Sequence, residues 1–332
     1  MKPCILVARA VFPAVLLRLQ EPFDVDASAD DQILGKAALI ARLQGKVGAF
    51  TTGSERIDAE VLAACPQLRV VANMAVGYNN FDIPACTAAG VLATNTPDVL
   101  TETTADFGFA LMMAAARRMA ESERFLRRGE WTKWCYDMFT GSDVHGATLG
   151  ILGMGRIGQA IARRGALGFG MKVIYHNRSR LGAEQEAPIG ARYVDKATLL
   201  READHLVLML PYSPSSHHTI GAPELAQMKP SATLTNVARG GIVDDAALAQ
   251  ALHEGRIAAA ALDVFEGEPA VHRDLLAAPN VVLTPHIASA TVATRRAMAD
   301  LAADNLIAAL TGGTPPTPIN PEVLGRLRPA AA

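Results

Sequence analysis

The segment Gly153-Met154-Gly155-Arg156-Ile157-Gly158 constrains the chain more than any other. A G-x-G-x-x-G spacing signifies little alone. Here an apolar run, Thr148-Leu149-Gly150-Ile151-Leu152, precedes it and a helical pattern, Gly158 to Gly165, follows. A strand, a tight turn and a helix in that order form a dinucleotide-binding turn. Gly153 permits the turn, Gly155 lets the main chain approach a pyrophosphate, and Gly158 lets helix and strand pack closely. The helix start, at Arg156 and Ile157, offers N–H groups and a partial positive charge to phosphates. Glycines that serve only a tight turn are the competing explanation.

A turn of this kind belongs to a series of βα units. Five further apolar runs follow the first: Lys172 to His176, His205 to Leu210, Thr233 to Val237, Ala260 to Val264 and Val281 to Thr284. Helical patterns such as Asp244 to Glu254 separate most of them. Six strands complete a doubly wound α/β nucleotide fold. An earlier series reads the same way, with strands at Ile5 to Ala8, Val47 to Phe50 and Leu68 to Asn73. Thr101 to Ala120 reads as one long helix with Thr101 as its N-cap. A last helix is expected at about Ala290 to Leu310, ended by Gly312-Gly313-Thr314-Pro315-Pro316. The expected architecture is a Rossmann-type domain, residues 102–287, inserted in a smaller flavodoxin-like α/β substrate domain, residues 1–101 and 288–332. A cleft between them would hold the active site.

Composition narrows the function. The 332 residues are half hydrophobic, enough for two cores. A net charge of −2 gives no electrostatic footprint for nucleic acid or a membrane surface. No run approaches the roughly 18 apolar residues of a membrane span. Arg9 and Pro13 interrupt the apolar start, which reads as a buried strand rather than a signal peptide. Cys4, Cys65, Cys86 and Cys135 have neither metal-site nor disulfide spacing and read as reduced thiols of a cytoplasmic protein. No metal is expected. His217-His218 follows a Pro/Ser-rich loop, and adjacent histidines are expected to diverge. His145, His205, His253 and His272 lack a partner pattern and read as structural or surface groups.

The residues after the second strand select the nicotinamide cofactor. A ribose 2′-hydroxyl calls for Asp or Glu about 20 residues beyond the glycines. Asn177 stands there, followed by Arg178-Ser179-Arg180, with no carboxylate before Glu184. Two guanidinium groups and a hydroxyl suit a 2′-phosphate. The expected cofactor is NADPH, with NADH weaker. A solvated basic loop is the alternative.

Three segments carry chemistry: Asn236-Val237-Ala238-Arg239-Gly240-Gly241, Leu262-Asp263-Val264-Phe265-Glu266-Gly267-Glu268-Pro269, and Leu283-Thr284-Pro285-His286. Each begins as a strand and ends polar, where ligands bind in such sheets. Reducing a 2-keto acid needs a cation on its carboxylate and carbonyl, and a proton for the developing alkoxide. Arg239 suits the first and His286 the second. A carboxylate beside the histidine, here Glu268, favours the imidazolium. Spacing alone does not bring the three together, and each has a structural alternative.

With Val76-Gly77-Tyr78-Asn79-Asn80-Phe81-Asp82, these motifs make the chain similar, over essentially its whole length, to the D-isomer-specific 2-hydroxyacid dehydrogenase family. The resemblance implies a catalytic Arg239, Glu268 and His286. It also implies substrate carboxylate binding at Val76 and Gly77, and a nicotinamide contact from Asp263. Pro211, Thr219, Val237 and Ala238 are implied to line the cofactor. Tyr175-His176-Asn177-Arg178 and the Trp131 to Gly146 segment resemble NADPH-dependent glyoxylate/hydroxypyruvate reductases, with 2-ketogluconate reductases close by. Residues of about 101–145 are implied to form a two-fold homodimer. There Trp134, Met138 or Phe139 reaches the neighbouring substrate pocket or simply joins the interface. The implied reaction is reduction of a small 2-keto acid to a D-2-hydroxy acid. Competing assignments are an NADH-using phosphoglycerate dehydrogenase, a formate or phosphite oxidiser, and a nucleotide-sensing corepressor.

Overall fold

The computed structural model describes residues 2–28 and 31–328. Residues 1, 29, 30 and 329–332, all within the expected substrate domain, lie outside the described residues. The chain separates into two compact units, Met1–Leu100 with Thr291–Ala332, and Thr101–Ala290.

Among the described residues the first unit holds five strands: β1 (Cys4–Val7), β2 (Asp24–Ala27), β3 (Gly48–Thr51), β4 (Val70–Asn73) and β5 (Leu92–Thr94). They pair parallel in the order β2-β1-β3-β4-β5, the flavodoxin-like order. Alternate side chains feed two cores: Leu6, Ala49 and Val71 on one face, Ile5, Phe50, Val70 and Ala72 on the other. The helix Val292–Thr311 covers the second face with Ala299, Ala302, Ala303 and Leu306. Gly48 lets it approach, since a Cβ there would lie 2.8 Å from the Leu310 side chain.

The second unit holds seven parallel strands: β6 (Thr148–Leu152), β7 (Lys172–His176), β8 (Arg192–Tyr193), β9 (His205–Leu208), β10 (Thr233–Asn236), β11 (Ala259–Leu262) and β12 (Val281–Leu283). Their order is β12-β11-β10-β9-β6-β7-β8. From β6 the chain winds one way through β7 and β8, then the other through β9 to β12. That reversal puts the glycine turn at the switch point, where such sheets bind ligands. Leu206, Leu208 and Leu234 pack into one core. Leu149, Ile151 and Val207 pack into the other, beneath the helix Thr101–Ala116.

Several details depart from the sequence reading. The domain has a seventh strand: β8 has only two residues and was not anticipated, nor were β2 and β5. Thr101 is the first helical residue rather than the cap, and the helix ends at Ala116. Arg118 has a left-handed φ of 52°, and a second helix runs Met119–Arg127. All four cysteines are free thiols. Among the described residues no helix is long and apolar enough to cross a membrane.

Candidate active site

The glycine turn is shaped by close approach on two sides and by open space on a third. Gly153 has φ 102°, and a Cβ there would lie 2.6 Å from the Leu210 nitrogen. A Cβ on Gly158 would lie 2.4 Å from the Gly153 carbonyl oxygen. Protein packing therefore explains both glycines. It does not explain Gly155, whose Cβ would meet no protein atom within 4 Å. Gly155 precedes the helix Arg156–Arg163, so open space and a helix start coincide. That combination fits a pyrophosphate brought against the main chain. Asn177 braces the turn, its Oδ1 accepting the Met154 N–H at 2.6 Å.

The loop after β7 is more differentiated than its sequence suggests. Arg178 and Ser179 are exposed. Arg180 donates from Nε and Nη2 to Glu186 at 2.9 and 2.7 Å. Glu186 also accepts the Tyr175 hydroxyl at 2.6 Å. These partners hold its carboxyl down at about 2. Val237 and Ala238 bury their side chains in different cores, so only their main chain is open to a cofactor. Pro211 is exposed. The Thr219 hydroxyl donates to the Ser216 carbonyl at 2.8 Å.

Three strand ends carry the other candidates. Beyond β10, Asn236 braces the chain: Oδ1 accepts the Ala238 N–H, and Nδ2 donates to the Arg239 carbonyl. This bend presents Arg239. The next residue permits close contact, because a Cβ on Gly240 would lie 1.7 Å from the Phe265 carbonyl oxygen. The Arg239 loop thus lies directly on the loop that carries Glu268. Burial lowers the Arg239 guanidinium pKa, while the Glu268 charge raises it, and burial prevails.

Glu268 and His286 meet at 2.8 Å between Oε2 and Nδ1. Glu268 Oε1 accepts the Phe265 N–H, also at 2.8 Å. Burial pushes the Glu268 carboxyl up. The hydrogen bond and charge of His286, the Phe265 N–H and Arg239 outweigh burial, leaving it below the ordinary value. His286 has φ 54°, a strained choice for a residue with a side chain. Asp263 holds it there. Its main-chain oxygen accepts the His286 N–H. Its carboxylate accepts the Thr284 hydroxyl and the Ile287 and Ala288 N–H groups, at 2.7, 2.8 and 2.9 Å. Asp263, expected to face a nicotinamide, braces the histidine turn with both oxygens.

His217 and His218 correct an expectation. Their rings stack at 3.8 Å rather than diverge, with His218 at φ 48°. His218 Nε2 lies 2.8 Å from Glu266 Oε2, and ligand-type atoms of His217, His218 and Glu266 lie within 4.8 Å of one another. The pair ties the loop after β9 to the loop carrying Glu268.

Val76 and Gly77 follow β4 in the other unit. Their carbonyls accept the side-chain amides of Asn95 and Asn73, at 2.8 and 3.1 Å. Trp134 stands 76% exposed, near Trp131 and Tyr136 in sequence, which are also exposed.

Residues 109–288 match the family profile described as D-isomer specific 2-hydroxyacid dehydrogenase, NAD binding domain. A glyoxylate reductase of Thermococcus onnurineus is 48% identical, with 99% of each chain covered. One from Aeropyrum pernix is 47% identical, covering 97% of each. The NADPH-dependent glyoxylate/hydroxypyruvate reductase of Sinorhizobium meliloti, solved with NADP and malonate, superposes with TM-score 0.86. It is 37% identical, and the match covers both chains completely.

Proposed function

The chain belongs to the D-isomer-specific 2-hydroxyacid dehydrogenase family, and from that premise we propose that it reduces glyoxylate and hydroxypyruvate to 2-hydroxy acids with NADPH. 2-Ketogluconate is a further candidate substrate. The observation that carries this reading is the Glu268–His286 pair beside the charge of Arg239. Bound NADPH supplies the hydride. Arg239 grips carboxylate and carbonyl oxygens with its planar fork and stabilises charge that builds on the carbonyl oxygen. His286, with Nδ1 on Glu268, delivers a proton from Nε2 to that oxygen. Glu268 stays ionised and balances the imidazolium. Val76 and Gly77 offer main-chain N–H groups to the substrate carboxylate. Gly153, Gly155, Arg156, Ile157 and Gly158 would hold the pyrophosphate, and Arg178 with Ser179 would hold the 2′-phosphate.

One assay tests the proposal: absorbance of NADPH or NADH with glyoxylate, hydroxypyruvate, 2-ketogluconate or 3-phosphohydroxypyruvate. Oxidation of NADPH by the first two, with kcat/KM at least tenfold above that for NADH, is expected. Preference for 3-phosphohydroxypyruvate with NADH would transfer the chain to the phosphoglycerate branch. No turnover with any of the four would remove the reductase reading.

A further inference from the structure

We propose that Glu186 sets the cofactor preference of this protein by holding Arg180 away from a 2′-phosphate, so that Arg178 is the guanidinium that engages it. The inference rests on the reading above, in which the loop after β7 faces the 2′ position of the cofactor.

Three observations carry it. First, Arg180 meets Glu186 with Nε and Nη2, a two-pronged contact. The same fork would grip a phosphate, and it cannot grip both. Second, Glu186 cannot follow the arginine outward. Its residue is 7% exposed, and the fully buried Tyr175 donates its hydroxyl to it. That hydroxyl in turn accepts the Leu181 N–H at 2.8 Å, so strand, loop and carboxylate are tied together. Moving Arg180 to a phosphate would strand a charged, largely buried carboxylate, which is costly. Third, Arg178 is exposed and, among the described residues, forms no ion pair. The loop therefore offers a 2′-phosphate one uncompensated positive charge where the sequence contains two.

The consequence is a tempered preference. A site with two free guanidinium groups would bind the 2′-phosphate tightly and discriminate strongly against NADH. With Arg180 neutralised, the discrimination falls on Arg178 and Ser179. Glu186 determines specificity without touching the cofactor, through the arginine it restrains. The Gln variant isolates this effect, because its amide oxygen still accepts the Tyr175 hydroxyl while its charge is gone.

The test compares wild type, Glu186→Gln, Glu186→Gln with Arg180→Ala, Arg178→Ala and Arg180→Ala. Calorimetry gives the affinity of each for AMP and for 2′-phospho-AMP, and kinetics gives kcat/KM for NADPH and NADH. Glu186→Gln is expected to raise preference for the 2′-phosphorylated ligand about tenfold, the worth of one charge-assisted hydrogen bond. Adding Arg180→Ala should remove that gain. Arg178→Ala should lower the preference more than Arg180→Ala does. An unchanged or lowered preference in Glu186→Gln would overturn the proposal, as would a gain that survives loss of Arg180 or the reverse order of the two arginines. Failure of the NADPH reading has its own signature: wild type binds AMP and 2′-phospho-AMP equally. A gain in Glu186→Gln on that background would still uphold the role of Glu186.

Discussion

Glu268 has two oxygens with separate tasks: Oε1 accepts the Phe265 N–H and Oε2 meets His286. The first fixes the carboxylate, and the second lets its charge act on the imidazole. Reduction needs a proton from His286, and the Glu268 carboxylate is the charge that faces its ring. Glu268→Gln keeps the shape and removes the charge, so kcat for reduction should fall about 10–100-fold while KM for the keto acid changes little. Wild-type kcat in the variant would refute the pairing. His286→Ala should lose on the order of 10²–10⁴ in rate. Arg239→Lys keeps a positive charge but not the planar fork. It should lower kcat/KM about 10–100-fold, equivalent to one lost charge-assisted contact, and near-normal turnover would take Arg239 out of the site. Glu186 makes a prediction about stability. Its folded pKa of about 2 lies below the ordinary 4.5, so it stabilises the fold above pH 4.5 and loses that effect as pH falls towards 2. Acid unfolding of Glu186→Gln should therefore be less steep across that window.

At the scale of elements, the glycines separate packing from binding. Gly240 must lack a side chain because the Phe265 carbonyl oxygen occupies the Cβ position. Gly240→Ala should destabilise the fold by about 1–3 kcal/mol and lower kcat by pushing the Arg239 and Glu268 loops apart. Gly155 has φ −76° and no neighbour at its Cβ position. Gly155→Ala should fold with an unshifted denaturation midpoint yet raise the cofactor KM, because the methyl group would stand where a pyrophosphate approaches. A lowered midpoint with unchanged cofactor KM would reverse that assignment. The sequence disclosed the glycine turn because each step of its spacing has a local cause. Strand legibility followed apolar composition more than position, since β12 is an edge strand and its run Val281–Leu283 is still plain in the sequence. Central strands β1, β3, β4, β6, β7, β9, β10 and β11 are apolar runs buried on both faces. β2, β5 and β8 are edge strands of two to four residues, two of them with charged side chains, as edges tolerate. They look like loops in sequence. Glu186 was missed for a related reason: a 2′-hydroxyl partner is sought at the strand end, and this carboxylate folds back from the short helix Ala183–Glu186. The stacking of His217 on His218, which comes with one positive φ, was also hidden.

At the scale of the whole molecule, the segment after the helix Met119–Arg127 stands apart. Trp131, Trp134 and Tyr136 are 55, 76 and 84% exposed, and Met119 and Leu126 are 56 and 57% exposed. Single exposed apolar residues are ordinary; here five fall within eighteen positions, and we propose that they form a covered face. A second copy of the chain is the expected cover, since closed two-fold pairing is the commonest way such a face is buried. Light scattering should then give twice the chain mass at micromolar concentration. Replacing Trp131 and Tyr136 with Glu should shift that mass towards one chain, because two carboxylates would lose their water in the interface. Trp134→Ala decides between two roles. If Trp134 only fills the interface, the variant dissociates more readily while KM for the keto acid in the remaining dimer stays the same. If it reaches the partner's substrate, the variant remains a dimer and its keto acid KM rises with the cofactor KM unaltered. A wild-type monomer that turns over at full rate would remove both.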